Sequence, residues 1–350
     1  MSYGFPLQEY IGVPPKKGHP EPIERGDDIE VDPKLLEDGY DDDYESAGYD
    51  TSTASLTSSV NEYVYENGRR YHAYYGMDKN VIPTDETEQD RMDLHHEIFL
   101  KLVGDLHKAP IGPNPQAILD IGTGTGIWAI DMADKYPSAE VIGMDLSPIQ
   151  PGWVPPNCRF ELDDAEEDWT YHQCKFDFVH ARNVAQAINN WPKLMRQIYR
   201  ATKPGGYVEL AELNTVMRSD DTTVRDTHGL KIYMDKLGEA MVKLGRPANI
   251  SDTFLKSALT RAGFVDVTAI RYKQPIGPWP KDERLKKIGM MCLLSASTGY
   301  HAYGMMAFTR ILGMDPKAAD DLCNEAAAAS KNKNIHGYNY FWVVYGRRPL

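Results

Sequence analysis

The residues whose types and spacing could do chemistry lie between Ala117 and Asp145, in AILDIGTGTGIWAIDMADKYPSAEVIGMD. Glycines at 122, 124 and 126 let the backbone take left-handed φ and come close to a ligand, and a helix starting beside them turns its unsatisfied N–H groups toward whatever is bound. Asp145, at the end of a second apolar run, stands where a carboxylate accepts both hydroxyls of a ribose. This is a nucleotide pattern. A dinucleotide-binding turn, however, places its third glycine where this chain has Ile127. Asp120 also sits at the end of the first run, where its charge repels a diphosphate but suits a ligand bearing an ammonium and a sulfonium. The two departures point to S-adenosylmethionine rather than NAD. Candidate cofactor contacts here are Asp120, Gly122, Thr123, Gly124, Gly126, Asp145 and Leu146.

Such a site needs a sheet to hold it. Ala117 to Ile121 predicts a strand, Ile127, Trp128, Ile130 and Ala133 carry helical spacing, and Glu140 to Met144 predicts a second strand. A third strand, Cys158 to Leu162, ends in Asp163, Asp164 and Ala165. In a doubly wound sheet its carboxyl end overlies the same crevice, so Asp164 is a candidate to accept from an adenine amino group and the Ala165 N–H to donate to the ring. A solvated acidic turn continued by Glu166 to Asp168 is the alternative. Lys175 to Val179 predicts a fourth strand leading to His180 and Arg182, Trp191 to Thr202 a helix, KPGG a turn, and Tyr207 to Ala211 a fifth strand flanked by Glu209 and Glu212. Phe264 to Tyr272 and Tyr338 to Tyr345 are expected as the last two strands, at an antiparallel edge. The fold expected is α/β: a Rossmann-like doubly wound sheet with an antiparallel last strand and helical cap insertions at 214–250 and 281–331.

Composition narrows the rest. The chain has 350 residues and a net charge of −13, which argues against direct nucleic-acid binding. Its four cysteines have no paired spacing, so neither a metal site nor a disulfide framework is expected. MSYGFPLQEY lacks a signal peptide's basic and apolar regions, and no apolar run is long enough to span a membrane; a cytoplasmic or nuclear protein is expected. Residues 1–58, with the acidic run EDGYDDDYE, predict a disordered acidic tail, and 59–350 one folded domain. Its first part, 59–115, opens with the tyrosine-rich NEYVYENGRRYHAYY, either core filling or a lid over the site. Asp85 and Glu88 mark a helix start. On that helix His95 and His96 are expected as a surface pair and a core-edge contact rather than ligands.

The motifs ENGRRYH, EQDRMD, LDIGTGTGIWAI, DLSPIQPGWVPPNC, DDAEEDW, KPGGYVE and IHGYNYFWVVYGRRP, in that order, resemble the fungal LaeA-like (UMTA-type) methyltransferases of the class I S-adenosylmethionine-dependent superfamily. The resemblance implies a class I methyltransferase fold with S-adenosyl-L-methionine as cofactor. Asp120, Gly122, Gly124 and Gly126 would frame its methionine end together with Arg182, Asp145 would take the ribose, and Asp164 with Ala165 the adenine. Family membership leaves the substrate open; the cofactor motif together with an aromatic, methionine-rich cap points to an O- or N-methyltransferase of a small secondary metabolite. The alternatives are a regulator of secondary metabolism acting through protein partners, docked by the N-terminal tail, and an enzyme that binds the cofactor without transferring methyl. Substrate or lid candidates are Arg69, Tyr71, His180, Glu212 and His301; His228 is a further candidate base, and no residue is assigned as catalytic.

Overall fold

The computed structural model describes residues 63–76, 79, 81–332 and 334–350, all within the unit Ser55–Leu350. The tail expected at 1–58 lies outside the described residues.

The described chain opens with a hairpin, β1 (Tyr63–Glu66) and β2 (Arg69–His72), paired so that Glu66 faces Arg69. Asn67 and Gly68 both take positive φ, 50° and 73°, the two-residue turn that Asn-Gly favours. That dipeptide was the overlooked signal in the tyrosine-rich segment. Helix α1 (Glu86–Val103) follows, with Asp85 as N-cap accepting from Glu88 N at 3.1 Å. The Glu88 side chain does not return to the cap; it pairs with Arg91 inside the protein. Arg69 grips Asp85 through Nε and Nη2 at 2.7 and 2.8 Å, which clips the hairpin to the start of α1.

The remaining elements are β3 (Ala117–Ile121), α2 (Ile127–Lys135), β4 (Glu140–Asp145), β5 (Cys158–Leu162), β6 (Phe176–Arg182), α3 (Trp191–Ala201), β7 (Thr202–Leu213), α4 (Gly229–Lys243), α5 (Asp252–Ala262), β8 (Val265–Pro275), α6 (Glu283–Met306), α7 (Pro316–Ser330) and β9 (Tyr338–Arg347). A π-helical turn, Ala307–Ile311, follows α6. The seven-stranded sheet has the order β5-β4-β3-β6-β7-β9-β8. Strands β3 to β7 are mutually parallel, and β3 is flanked by β4 on one side and β6 on the other. The chain order reverses between β3 and β6, so a crevice opens at their carboxyl ends. All of β3 is buried, as a central parallel strand covered on both faces must be. Leu194, Ile198, Leu255 and Leu259 cover one face of the sheet; Phe99, Leu102, Trp128 and Met132 cover the other.

The last two strands form the antiparallel edge as expected, with β9 between β7 and β8. Two other expectations are corrected in detail. KPGG does not sit outside the fifth strand: Thr202 pairs with Phe176, the register shifts before Phe178 meets Tyr207, and Gly205 (φ 79°) donates to Arg348 O. The turn is thus absorbed into a bulged strand. Helix is confined to Gly229–Lys243 within the first cap insertion; before it, Thr222 takes φ 63° and Arg218 bridges to Tyr338. The cap helices bring their own core, in which Tyr233 packs edge-on against both Tyr300 and Phe308. No helix among the described residues is long and apolar enough to cross a membrane.

Candidate functional site

Asp120 leaves β3 buried, and both of its oxygens are engaged. Oδ1 lies 2.7 Å from His180 Nδ1 on the neighbouring β6, and Oδ2 accepts from Thr123 Oγ1 at 2.7 Å. His180 stacks on Trp128 of α2 with ring centroids 3.8 Å apart. The glycines that follow all lie in the left-handed region, at φ 66°, 59° and 80° for Gly122, Gly124 and Gly126. A Cβ at Gly122 would stand 2.4 Å from Val184 Cγ1, and one at Gly126 2.2 Å from Phe160 Cζ. Packing therefore demands glycine at 122 and 126 in addition to φ.

Asp145 ends β4 and braces this loop, Oδ2 accepting from Gly124 N at 2.8 Å and Oδ1 from Ser147 N at 2.9 Å. Burial pushes its carboxyl up to about 6, against those two donors. Beyond β5, Asp164 accepts from Glu166 N at 2.8 Å and from Lys79 Nζ at 2.6 Å. Arg182 closes β6. Its Nη1 lies 3.1 Å from His96 Nδ1, its guanidinium sits 4.7 Å from the Phe99 ring centroid, and His96 Nε2 is 2.9 Å from Asp131. Among the described residues no carboxylate pairs with Arg182, and burial lowers it to about 10.

These residues line one cavity of ≈ 200 Å³, which takes in Asp120, Gly122, Thr123, Gly124, Asp145, Leu146, Asp164, Ala165 and Arg182; Gly126 lies just behind its wall, against Phe160. A second cavity of ≈ 180 Å³ adjoins it beneath the cap, walled by Tyr233, Met234, Leu237, Met241, Ile250 and Ile276, with Glu212 also facing it. Lys79, Arg91, His95, Asn183 and Tyr303 line both. Glu212 Oε1 accepts from Val184 N at 3.0 Å and Ala185 N at 3.1 Å, and burial pushes its carboxyl up to about 8.

The remaining sequence candidates face neither cavity. Arg69 is committed to Asp85. Tyr71 is buried beside Val81 and Met306, and His180 is fully buried in its stack. His301 reaches Asp320 on α7 at 3.0 Å. A candidate base or lid residue must meet the substrate, and these four are held elsewhere by closer partners. His95 was expected with His96 as a surface pair and a core-edge contact, but it lines both cavities while His96 is buried against Asp131; Arg91, Tyr303 and Lys79 were passed over. His95 and Arg91 stand four residues apart, on one face of α1, and that spacing was the available signal. Tyr303 arrives from α6, more than two hundred residues on, with no local signal at all.

A doubly wound sheet with a glycine loop after its first strand, an acidic end to its second and a capped cavity beside the cleft defines a class I, S-adenosylmethionine-dependent methyltransferase. Comparison with known proteins agrees: residues 92–269 match the family described as Methyltransferase domain. The chain is 40% identical over 318 residues to Methyltransferase pytC of Aspergillus terreus, covering 88% of this chain and 95% of that protein. It is 36% identical over 307 residues to the Secondary metabolism regulator LAE1 of Cochliobolus heterostrophus, covering 85% and 99%. To the Protein-methionine methyltransferase laeA of Emericella nidulans it is 34% identical over 300 residues, covering 85% and 79%. The chain belongs to the fungal LaeA-like methyltransferases.

Proposed function

We propose that this methyltransferase acts on oxygen or nitrogen of a small, largely apolar molecule of fungal secondary metabolism. The observation that carries this is the second cavity, built from cap side chains and joined to the cofactor cleft through Arg91, His95, Asn183 and Tyr303. A mostly apolar pocket with a few convergent polar groups is the usual form of a small-molecule site.

The cleft fits the cofactor on two counts. Its loop backbone is held in left-handed conformations that leave room for close approach, and the buried Arg182 guanidinium makes no ion pair with a carboxylate among the described residues, Asp120 and Asp131 acting on it only from a distance, which suits a ligand carboxylate. Asp145 would take the ribose hydroxyls, Asp164 and the Ala165 N–H the adenine, and Asp120 with the loop of Gly122, Gly124 and Gly126 would shape the methionine end. When bound, the cofactor supplies a methyl group on a sulfonium. The protein's part is alignment and exclusion of water: Met234, Leu237 and Met241 wall the acceptor from solvent, and the shared residues set where its nucleophilic atom meets the cleft.

The test is to incubate the purified chain with methyl-labelled S-adenosylmethionine and an organic extract of a fungal strain lacking the gene. A labelled small molecule is expected, heavier by one methylene. Label found only in protein would sink this reading and favour a second one, a protein acceptor. That second reading is supported by the name of the Emericella relative and corresponds to a regulatory role in which residues 1–58 dock a partner, checked by pull-downs with and without them.

A further inference from the structure

With Asp120 at the methionine end of the cofactor, as proposed in the preceding section, its carboxylate must be aimed at the cavity and must keep its charge. The residue that secures both lies outside the cavity. His180 is the partner of Asp120 in the β3–β6 register, so the two side chains stand on one face of the sheet. The His180 ring is fully buried and lines neither cavity. It lies flat on Trp128, with 3.8 Å between centroids and 7° between planes, and the Phe178 ring stands 6.2 Å away. Trp128 is itself pinned, its Nε1–H donating to Leu106 O at 2.8 Å. This aromatic wall fixes the imidazole with one nitrogen toward Asp120.

A carboxylate only accepts, so the Nδ1 that lies 2.7 Å from Asp120 Oδ1 carries the hydrogen. Nε2 is then a buried lone pair without a partner among the described residues. A second proton there would have no acceptor, and burial lowers the pKa of the ring, so the imidazole is neutral. Thr123 supplies the other donor, its hydroxyl reaching Oδ2 at 2.7 Å. Among the described residues no lysine or arginine is in ion-pair contact with Asp120. Two neutral donors thus hold the carboxylate while leaving its charge for a cation that enters the cavity. Leaving a lone pair buried and unpaired costs stability, and phenylalanine would serve the stack on Trp128 without that cost. What histidine adds is the Nδ1–H.

We propose that His180 is a positioning residue of the cofactor site: its Nδ1–H holds the Asp120 carboxylate toward the cavity, where that carboxylate receives the ammonium of S-adenosylmethionine. His180 never touches the cofactor and acts on its binding only through Asp120.

The experiment titrates the full chain by calorimetry with S-adenosylhomocysteine, which carries the ammonium, and with 5′-methylthioadenosine, which lacks the amino-acid end. His180→Phe keeps an aromatic ring on Trp128 and deletes the donor. It is expected to weaken S-adenosylhomocysteine by about tenfold or more, as the loss of a hydrogen bond to a charged group does, and to leave methylthioadenosine within about twofold. His180→Leu repeats the comparison with a second side chain that has no donor, and His180→Asn, which returns an N–H, is expected to recover part of the loss. In an Asp120→Asn background, His180→Phe is expected to add less than about twofold. Arg182 lies two residues further along β6, and an effect passing through it to the ligand carboxylate would persist in that background. Equal weakening of both ligands, or a full His180→Phe effect on top of Asp120→Asn, overturns the proposal and leaves His180 serving the fold. If Asp120→Asn alone leaves S-adenosylhomocysteine affinity unchanged, the placement of Asp120 at the methionine end falls as well.

Discussion

Lys79 and Asp164 meet at 2.6 Å, joining the segment before α1 to the turn after β5. Lys79 is held a second time by its carbonyl, which accepts from Arg246 Nη2 of the cap at 3.2 Å. Nearby, Tyr75 Oη donates to Leu162 O at 3.3 Å. One residue thus ties the turn after β5, at the first cavity, to the cap over the second.

Lys79→Met should therefore speed cofactor release. The pair is part-exposed on the lysine side, so its loss is worth ~1 kcal/mol, roughly fivefold in Kd. Calorimetry and stopped-flow dissociation measure it; unchanged release would show that the pair does not close the cleft.

Asp145→Ala removes the proposed ribose acceptor and also frees Gly124 N and Ser147 N. Charge-assisted contacts of this kind are worth about 2 to 4 kcal/mol, so S-adenosylmethionine affinity should fall by roughly 30- to 700-fold. Because the carboxyl ionises at about 6, wild-type affinity should rise with pH through that value. Calorimetry at several pH values reads both effects.

Gly122→Ala forces a Cβ onto a left-handed backbone 2.4 Å from Val184 Cγ1. The backbone term alone is about 1–2 kcal/mol. Denaturant unfolding should show at least that loss, and adding Val184→Ala should recover the steric part but not the backbone part. A double variant no better than the single would place the whole cost in φ.

Glu209 and Glu212 are buried carboxyls raised to about 7 and about 8 from an ordinary 4.5. Between those values the folded state holds more protons than the unfolded chain, so stability is fully present below 4.5 and is lost as pH rises through the folded values. His95 and His180 are shifted the other way and cost stability only as pH falls below the ordinary histidine value. From about pH 6.5 to 9 the melting temperature should decline, and Glu212→Gln should flatten the upper part of that decline. Calorimetric scans across this window check it.

The helix start at Asp85 is a separate test. Asp85→Ala loses the N-cap to Glu88 N and the two-pronged Arg69 contact. A cap is worth about 0.5–2 kcal/mol, and urea unfolding should show a loss at or above the top of that range because the hairpin is released as well.

The cofactor half of this protein was legible in its residues because the chemistry there is local. A buried strand reads as the apolar run Ala117 to Ile121, a left-handed turn as Gly122, Gly124 and Gly126, and a strand end as Asp145; each signal is carried within a few positions of the group it places. The second cavity was not legible, because its walls come from α1, β7, α4, the segment after α4, the end of β8 with Ile276, α6 and β9, and only packing decides which face of each turns inward. His180 and His95 show the difference. Both are histidines near the opening motif, yet stacking on Trp128 removes His180 from the site, while a position one turn beyond Arg91 puts His95 where the two cavities meet. By itself the sequence determined that a methyl donor is held, through residue types that backbone geometry and charge require. The tertiary structure alone decided what lines the second cavity, because burial and neighbouring charge, which set whether a histidine or a glutamate can take a proton, exist only once distant segments have packed.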